Sequence, residues 1–132
     1  MKQAENPSEV LEQFLSWEAE CEKSYKEASA AMMQEERRLQ DLLHELEFSQ
    51  NQKECSKVAA RLRQSRKLRR KYKDIVKRNE MVVKFFEEQS SRGMLKRMKQ
   101  LAGRQRTEEQ YLDGERLYKP RMEQGKLGDG KT

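Results

Sequence analysis

The sequence predicts an all-α protein: one long coiled-coil helix, short C-terminal helices and a disordered tail. Three observations support this fold class. More than half of the 132 residues are Ala, Glu, Lys, Leu or Arg, which is typical of coiled coils and long helices. Residues 8–92 contain neither Gly nor Pro, so 85 consecutive residues carry no strong helix breaker. Apolar residues recur at the heptad period that brings one helix against another.

Composition sets the size of the fold and excludes several classes. The length allows one domain at most. Only 34% of residues are hydrophobic while 39% are charged, so a large core within a single chain is not expected. Together with the breaker-free stretch, this composition excludes sandwiches, barrels and doubly wound sheets.

The first element is an acidic coiled-coil segment predicted over residues 6–48, after a flexible N-terminus at 1–5. Asn6 is a favourable N-cap, Pro7 suits the first helical position, and Glu9 completes a capping box. A heptad frame beginning at Leu11 has apolar residues at nine of its eleven core positions. Its predicted seam residues are Leu11, Phe14, Cys21, Tyr25, Met32, Leu39, Leu42 and Leu46. Glu18 and Glu35 also occupy core positions, so the seam is imperfect.

A basic coiled-coil segment is predicted over residues 54–91, after a polar junction at 49–53. Its stripe from Cys55 to Phe86 is apolar at seven of ten positions. The seam residues predicted here are Val58, Leu62, Tyr72, Val76, Val83 and Phe86. Either one helix changes partners at the junction, or the chain turns and forms a helical hairpin. Asn51 tolerates the left-handed conformation of a turn, but helix turns often use Gly or Pro, and neither is present. The continuous rod is therefore slightly favoured.

Glycines and polar residues divide the remaining chain. Ser90 to Gly93 are expected to interrupt the helix, and Gly103 to end the next one. Thr107 to Gln110 form a capping box that opens a further short segment. The predicted elements are a short amphipathic helix at 94–102, a short helical or linear-motif segment at 107–122, and a disordered tail at 123–132.

Charge is distributed unevenly. Residues 1–50 carry a net charge of −7, residues 51–106 carry +14, and residues 107–132 carry −1. If the two long segments lie antiparallel, in one molecule or in a dimer, acidic residues face basic ones. Such pairs add little stability each, but they select orientation because the opposite arrangement brings like charges together.

The densest charge cluster has eight cations in residues 61–73. It predicts either a solvated face that pairs with acidic helices, or a patch for a polyanion such as nucleic acid, a microtubule or anionic lipid. Its residues are Arg61, Arg63, Arg66, Lys67, Arg69, Arg70, Lys71 and Lys73.

The densest apolar patch, around Phe85, predicts a docking surface or a contact with the helix that follows it. Large adjacent aromatic residues are common binding anchors. Alternatively, Gly93 lets the 94–101 helix fold back over Phe85. The predicted docking residues are Met81, Val82, Phe85, Met94, Leu95, Met98 and Leu101.

Nothing in the sequence indicates catalysis, a cofactor or a metal. His44 is the single histidine, and two cysteines 34 residues apart provide neither a zinc set nor a disulfide framework. No apolar stretch is long enough for a membrane span, and no signal peptide is evident. A cytoplasmic location is expected, with association with the cytoskeleton or a nuclear location as alternatives.

The expected function is therefore that of a non-enzymatic coiled-coil scaffold or adaptor in a larger assembly, of the cytoskeletal, centrosomal or ciliary kind. It would bury both stripes against other helices, from a helical protein partner or from a second copy in a homodimer. The alternative is a nucleic-acid- or microtubule-binding protein that acts through residues 61–73.

Overall fold

A computed structural model describes residues 6–114 as three helices, and these residues include no strand. The helices are α1 (Pro7–Glu47), α2 (Gln52–Glu87) and α3 (Gln89–Asp113). The all-helical prediction is confirmed for this part of the chain. The predictions for residues 1–5 and 115–132, including the disordered tail, lie outside the described residues. No helix in residues 6–114 is both long and apolar enough to cross a bilayer.

Helix α1 begins as the capping signal predicts. Pro7 is the first helical residue, and the backbone N–H of Asn6 donates to Glu9 Oε1 at 3.1 Å. The carboxylate thereby satisfies a donor at the start of the helix, where no intrahelical acceptor exists.

The chain turns between α1 and α2, so the continuous rod that the sequence slightly favoured is not confirmed. Helix α1 ends at Glu47 and α2 begins at Gln52. The turn needs no glycine, because Phe48 has φ −98° and Asn51 has φ −146°, both ordinary for L-residues. Asn51 is therefore an extended N-cap rather than a left-handed turn residue, and its side chain accepts from the Glu54 N–H at 2.9 Å.

Polar side chains satisfy the other backbone groups of this turn. Ser49 Oγ donates to the Glu45 carbonyl at 2.9 Å, and the Gln50 N–H donates to Glu54 Oε1 at 2.9 Å. The backbone N–H groups of Phe48 and Ser49 also donate to the His44 and Leu46 carbonyls, so polar side chains and backbone groups together satisfy the helix ends.

Helices α1 and α2 pack antiparallel over most of their length. Ser65 Oγ donates to Glu35 Oε1 at 2.8 Å, and the Phe14 and Phe86 rings lie 5.9 Å apart. Each of these pairs has residue numbers that sum to 100. The same register places Leu42 of α1 opposite Val58 of α2, since 42 and 58 also sum to 100, and both residues are buried. The two apolar stripes therefore cover each other within one chain.

The break between α2 and α3 falls at Glu88, which is extended with ψ 145°. The predicted interruption at Ser90–Gly93, the end at Gly103 and the separation of the 94–102 helix from the segment that begins at 107 are therefore corrected. Residues 115–122 of the predicted 107–122 segment lie outside the described residues. Helix α3 continues through Gly93 and Gly103 to Asp113. Thr107 does not cap a new helix, because its hydroxyl donates back to the Gly103 carbonyl at 3.1 Å.

Packing on α1 explains why α3 tolerates both glycines. A Cβ built at Gly93 or Gly103 would meet nothing within 4 Å, so both lie on the open side of α3. Each costs the helix about 1 kcal/mol relative to Ala. On the opposite side a single buried stripe runs the length of α3, consisting of Ser91, Leu95, Ala102 and Glu109. Burial of that stripe favours one continuous helix.

Helix α3 lies along the N-terminal third of α1 and runs in the opposite direction. Arg92 pairs with Glu22 at 3.3 Å, Arg106 pairs with Glu12, and Ser8 donates to Glu109. Because α3 packs on α1, it does not cover Phe85, whose exposed fraction is 55%. The structure therefore differs from the alternative in which the 94–101 helix folds back over Phe85.

Candidate functional site

All fourteen predicted seam residues are buried or half-buried in the structure. Cys21, Leu42, Val58 and Val83 are buried, and the other ten are half-buried. The covering side chains come from the same molecule, since α1 and α2 pack on each other. Helices from other chains are therefore not needed to cover these two stripes.

Glu35 lies inside the seam and is satisfied there. Its carboxylate accepts from the Ser65 hydroxyl at 2.8 Å and lies 3.6 Å from Arg38 Nη1. A buried carboxylate without partners would be strongly unfavourable. This polar layer also resists slippage, because sliding the helices by one heptad would separate Glu35 from Ser65.

Ion pairs between helices follow the charge asymmetry. Arg61 pairs with Glu45, and Arg69 Nε donates to Glu36 Oε1 at 2.7 Å. Acidic α1 thus contacts basic α2 on both sides of the Glu35 layer. These two arginines of the predicted polyanion patch are engaged inside the hairpin.

The other six residues of the predicted polyanion patch make no ion pair with α1. Among the described residues, none of the six has a carboxylate within ion-pair distance, and all are exposed. They are Arg63, Arg66, Lys67, Arg70, Lys71 and Lys73. The patch is therefore divided: two cations close the hairpin and six remain available.

One line of exposed residues, here called the outer column, follows the side of α2 opposite the seam. Its members recur every three or four residues, and each is exposed. Lys67 lies about 200° around the helix from the buried Ser65, which places the column on the far face. The outer column comprises Arg63, Lys67, Arg70, Asp74, Arg78, Met81 and Phe85.

The outer column ends in two large apolar side chains. Met81 is 83% exposed and Phe85 is 55% exposed, the latter touching the Phe86 ring at 5.0 Å. Phe86 contacts Phe14, and Phe14 contacts Trp17 at 5.7 Å. Since Trp17 is 48% exposed, the aromatic cluster reaches the surface on α1 as well as on α2.

The remaining predicted docking residues separate into two groups. Leu95 is buried and Met98 half-buried on the side of α3 that faces α1, and Val82 is half-buried on α2. Met94 and Leu101 are exposed. Of the seven predicted docking residues, four are therefore exposed: Met81, Phe85, Met94 and Leu101.

A second buried carboxylate joins α3 to the start of α1. Glu109 accepts from the Ser8 N–H at 3.0 Å and from the Ser8 hydroxyl, and also from Gln105 Nε2 at 3.0 Å. Desolvation raises the pKa of Glu109, but the hydrogen bonds from Ser8 and Gln105 outweigh it and hold the pKa below its usual value.

Cys21, Cys55 and His44 are the cysteines and the histidine of residues 6–114, with side chains that are common in reactive or metal sites. Desolvation at the seam, with help from Glu18 and Glu20, raises the pKa of the Cys21 thiol and so disfavours the reactive thiolate. His44 is exposed and lies 3.9 Å from Glu47. Within residues 6–114 no three His, Cys, Asp or Glu side chains are grouped as they would be around a metal ion.

Sequence reasoning missed both buried carboxylate contacts. Glu35 and Ser65 each interrupted an apolar stripe, and pairing the two stripes antiparallel would have placed them together. Glu109 and Ser8 are 101 residues apart and gave no periodic signal that could have joined them. Comparison of the chain with protein-family models, with curated proteins and with solved structures found no match.

Proposed function

We propose that the protein is a non-enzymatic helical adaptor that joins other helical proteins in a larger assembly. The observation that supports this function is the exposed apolar surface formed by Met81, Phe85, Met94 and Leu101. The seam already has its own cover, so exposed side chains such as these are the ones available to a partner, and Met81 is the most exposed of the large apolar residues in the described part of the chain. Large exposed aromatic and methionine side chains are frequent anchors at protein interfaces.

Under this proposal the hairpin is a rigid support and the partner binds outside it. The α1·α2 seam holds α2 straight, and the partner gains its binding energy by removing apolar surface from water. Assemblies of the cytoskeletal, centrosomal or ciliary kind, in the cytoplasm, are the setting that the composition favours.

The test compares partners of the wild-type protein with those of a surface variant in cells. Met81→Ser combined with Phe85→Ser removes the two exposed anchors and replaces no seam residue, although Phe86 loses its ring contact with Phe85. Val10→Ser combined with Met33→Ser is the matched control, because both residues are exposed apolar side chains on α1. Proximity labelling followed by reconstitution with purified proteins should find partners that only the first variant loses. If both variants retain every reconstituted partner, the adaptor proposal is wrong.

A polyanion-binding function is the second candidate, and the six unpaired cations on α2 favour it. Binding to duplex DNA would then weaken steeply with salt, with a logarithmic slope of about −0.9 for each phosphate neutralised. Replacing Arg66, Lys67, Arg70 and Lys71 by Gln should abolish such binding, and microtubule co-sedimentation tests the same residues. An adaptor that relies on apolar burial should largely tolerate those replacements.

A further inference from the structure

We propose that the outer column of α2 is a docking surface for an acidic amphipathic helix of a partner protein. This inference rests on the proposed adaptor function and specifies the chemistry of its partner. Such a helix would carry two apolar anchors near one end and a line of carboxylates along the rest.

The outer column has three of its cations at one end and its large apolar side chains at the other. Arg63, Lys67 and Arg70 occupy one end, and Met81 and Phe85 occupy the other. The column spans 22 residue steps on one uninterrupted helix, about 33 Å or six turns. A single helix lying along α2 could therefore contact the cationic and the apolar parts together.

The charge of the outer column favours an acidic partner. The cations of the column have no ion-pair partner among the described residues, and Lys71 adds a further free charge beside it. Lys77 and Lys84, by contrast, are already engaged with Glu80 at 3.7 and 3.2 Å. A ligand with regularly spaced carboxylates matches the free cations, and opposite charges across a surface select the partner and its orientation.

The outer column fits an acidic helix better than it fits a nucleic acid. Asp74 lies in the middle of the column, where it would repel a continuous line of phosphates. Met81 and Phe85 offer no favourable contact to a sugar-phosphate backbone, and Tyr72 is half-buried toward the seam, so no aromatic platform lies among the cations. A peptide helix can have an uncharged residue opposite Asp74 and can pack apolar residues against Met81 and Phe85.

The inner side of α2 already binds a helix of this chemistry. Acidic α1 packs on it with apolar side chains at the centre, while Arg61 and Arg69 pair with Glu45 and Glu36 at the margins. The outer column offers the same combination of apolar anchors and free cations on the opposite face.

The test measures binding of a labelled synthetic helix to the full chain by fluorescence anisotropy. The probe is a 24-residue peptide with Leu and Trp four residues apart at one end and Glu at helical spacing along the rest. We expect binding that weakens about tenfold or more with Met81→Ser/Phe85→Ser, and similarly with Arg63→Glu/Lys67→Glu/Arg70→Glu. An all-Glu peptide of the same length should bind about tenfold more weakly than the probe.

A charge-matched control tests whether position matters rather than total charge. Lys96→Glu/Arg97→Glu/Lys99→Glu makes the same charge change on exposed positions of α3, and it should leave probe binding unchanged. Circular dichroism melting curves verify that all variants remain folded. Duplex DNA is added as a competitor and should displace the probe poorly.

Three results would overturn the inference. The first is that the probe does not bind. The second is that the α3 control variant weakens probe binding as much as the Arg63→Glu/Lys67→Glu/Arg70→Glu variant does. The third is that duplex DNA displaces the probe equally well from the wild-type protein and from the Met81→Ser/Phe85→Ser variant. None of these decides the adaptor function. A reconstituted partner that is lost with Met81→Ser/Phe85→Ser but is indifferent to Arg63→Glu/Lys67→Glu/Arg70→Glu would keep that function and reject the acidic helix.

Discussion

The two faces of α2 differ in what covers them. The inner face carries Val58, Ser65 and Val83, which are buried against α1. The outer face carries free cations followed by Met81 and Phe85, which are exposed. One helix with an unusually high density of charge thus presents a closed packing surface on one side and an open surface on the other.

This difference teaches that a basic cluster in sequence is not one functional unit. Arg61 and Arg69 stabilise the hairpin through Glu45 and Glu36, whereas Lys67 and Arg70, in the same cluster, lie on the opposite side. Helical periodicity rather than local charge density decides which cations serve the fold and which remain available to a ligand.

The largest expected effect is loss of stability on truncating the inner seam. Leu42 is 5% exposed and Leu43 is 45% exposed, so neighbouring leucines provide a matched pair. Leu42→Ala should lower the free energy of unfolding by about 2–5 kcal/mol, because it leaves a cavity between α1 and α2. Leu43→Ala should cost much less, and chemical denaturation measures both. Equal losses would mean that Leu42 does not lie in a closed seam.

The next effect concerns the polar layer inside the seam. Glu35→Ala leaves the Ser65 hydroxyl without its buried acceptor and should cost about 1–3 kcal/mol. Ser65→Ala should be destabilising as well. The double variant should cost less than the sum of the two, since neither polar group then remains unpaired. A double-mutant cycle by denaturant unfolding measures this coupling, and strict additivity would contradict the contact.

A smaller, local effect is expected where α3 meets α1. The pKa of Glu109 is lowered in the folded protein, so the contact stabilises the fold above the unfolded value of about 4.3 and is lost as the pH falls through the folded pKa. The Ser8 amide resonance in NMR should follow that titration. Ser8→Ala removes the hydroxyl donor and should raise the Glu109 pKa toward its ordinary value. An unchanged titration in that variant would contradict the contact.

The smallest effect on stability is expected at the outer face. Met81→Ser replaces a side chain that is 83% exposed, so the free energy of unfolding should change by less than about 1 kcal/mol. Phe85→Ser also removes the contact with the Phe86 ring and should cost about 1 kcal/mol. Thermal melting measures both, with Leu42→Ala as the destabilised reference. A loss comparable to that reference would show that the outer face is part of the core.

The sequence predicted the helical fold and the two stripes because heptad periodicity is a local signal that each segment carries. It did not predict the turn at residues 48–51, since polar side chains such as Ser49 and Asn51 satisfy the helix ends there and no glycine is required. Gly103 locally predicts a helix end because a glycine is unfavourable in a helix interior. The packing of Leu95 and Ala102 on α1 overrides that cost.

The candidate site was only partly predictable from the sequence, because the cations that remain free are decided by how α1 and α2 pack. Met81 and Phe85 were visible as an apolar patch, and the basic run as a charge cluster. Which cations are free depends on the antiparallel register, which fixes Arg61 and Arg69 against α1. The sequence alone left that register open.

The central claim is that the chain closes its own seam as a hairpin and leaves the outer face of α2 free. Energy transfer between dyes at Gln13→Cys and Lys84→Cys, in a chain with Cys21→Ala and Cys55→Ser, tests it directly. The hairpin register brings these two positions close together. In a continuous helix they would lie 71 residues apart along the axis, a distance of about 107 Å. We expect efficient transfer that persists when the labelled chain is mixed with excess unlabelled chain. Absent transfer, or transfer that disappears on that dilution, would contradict the claim.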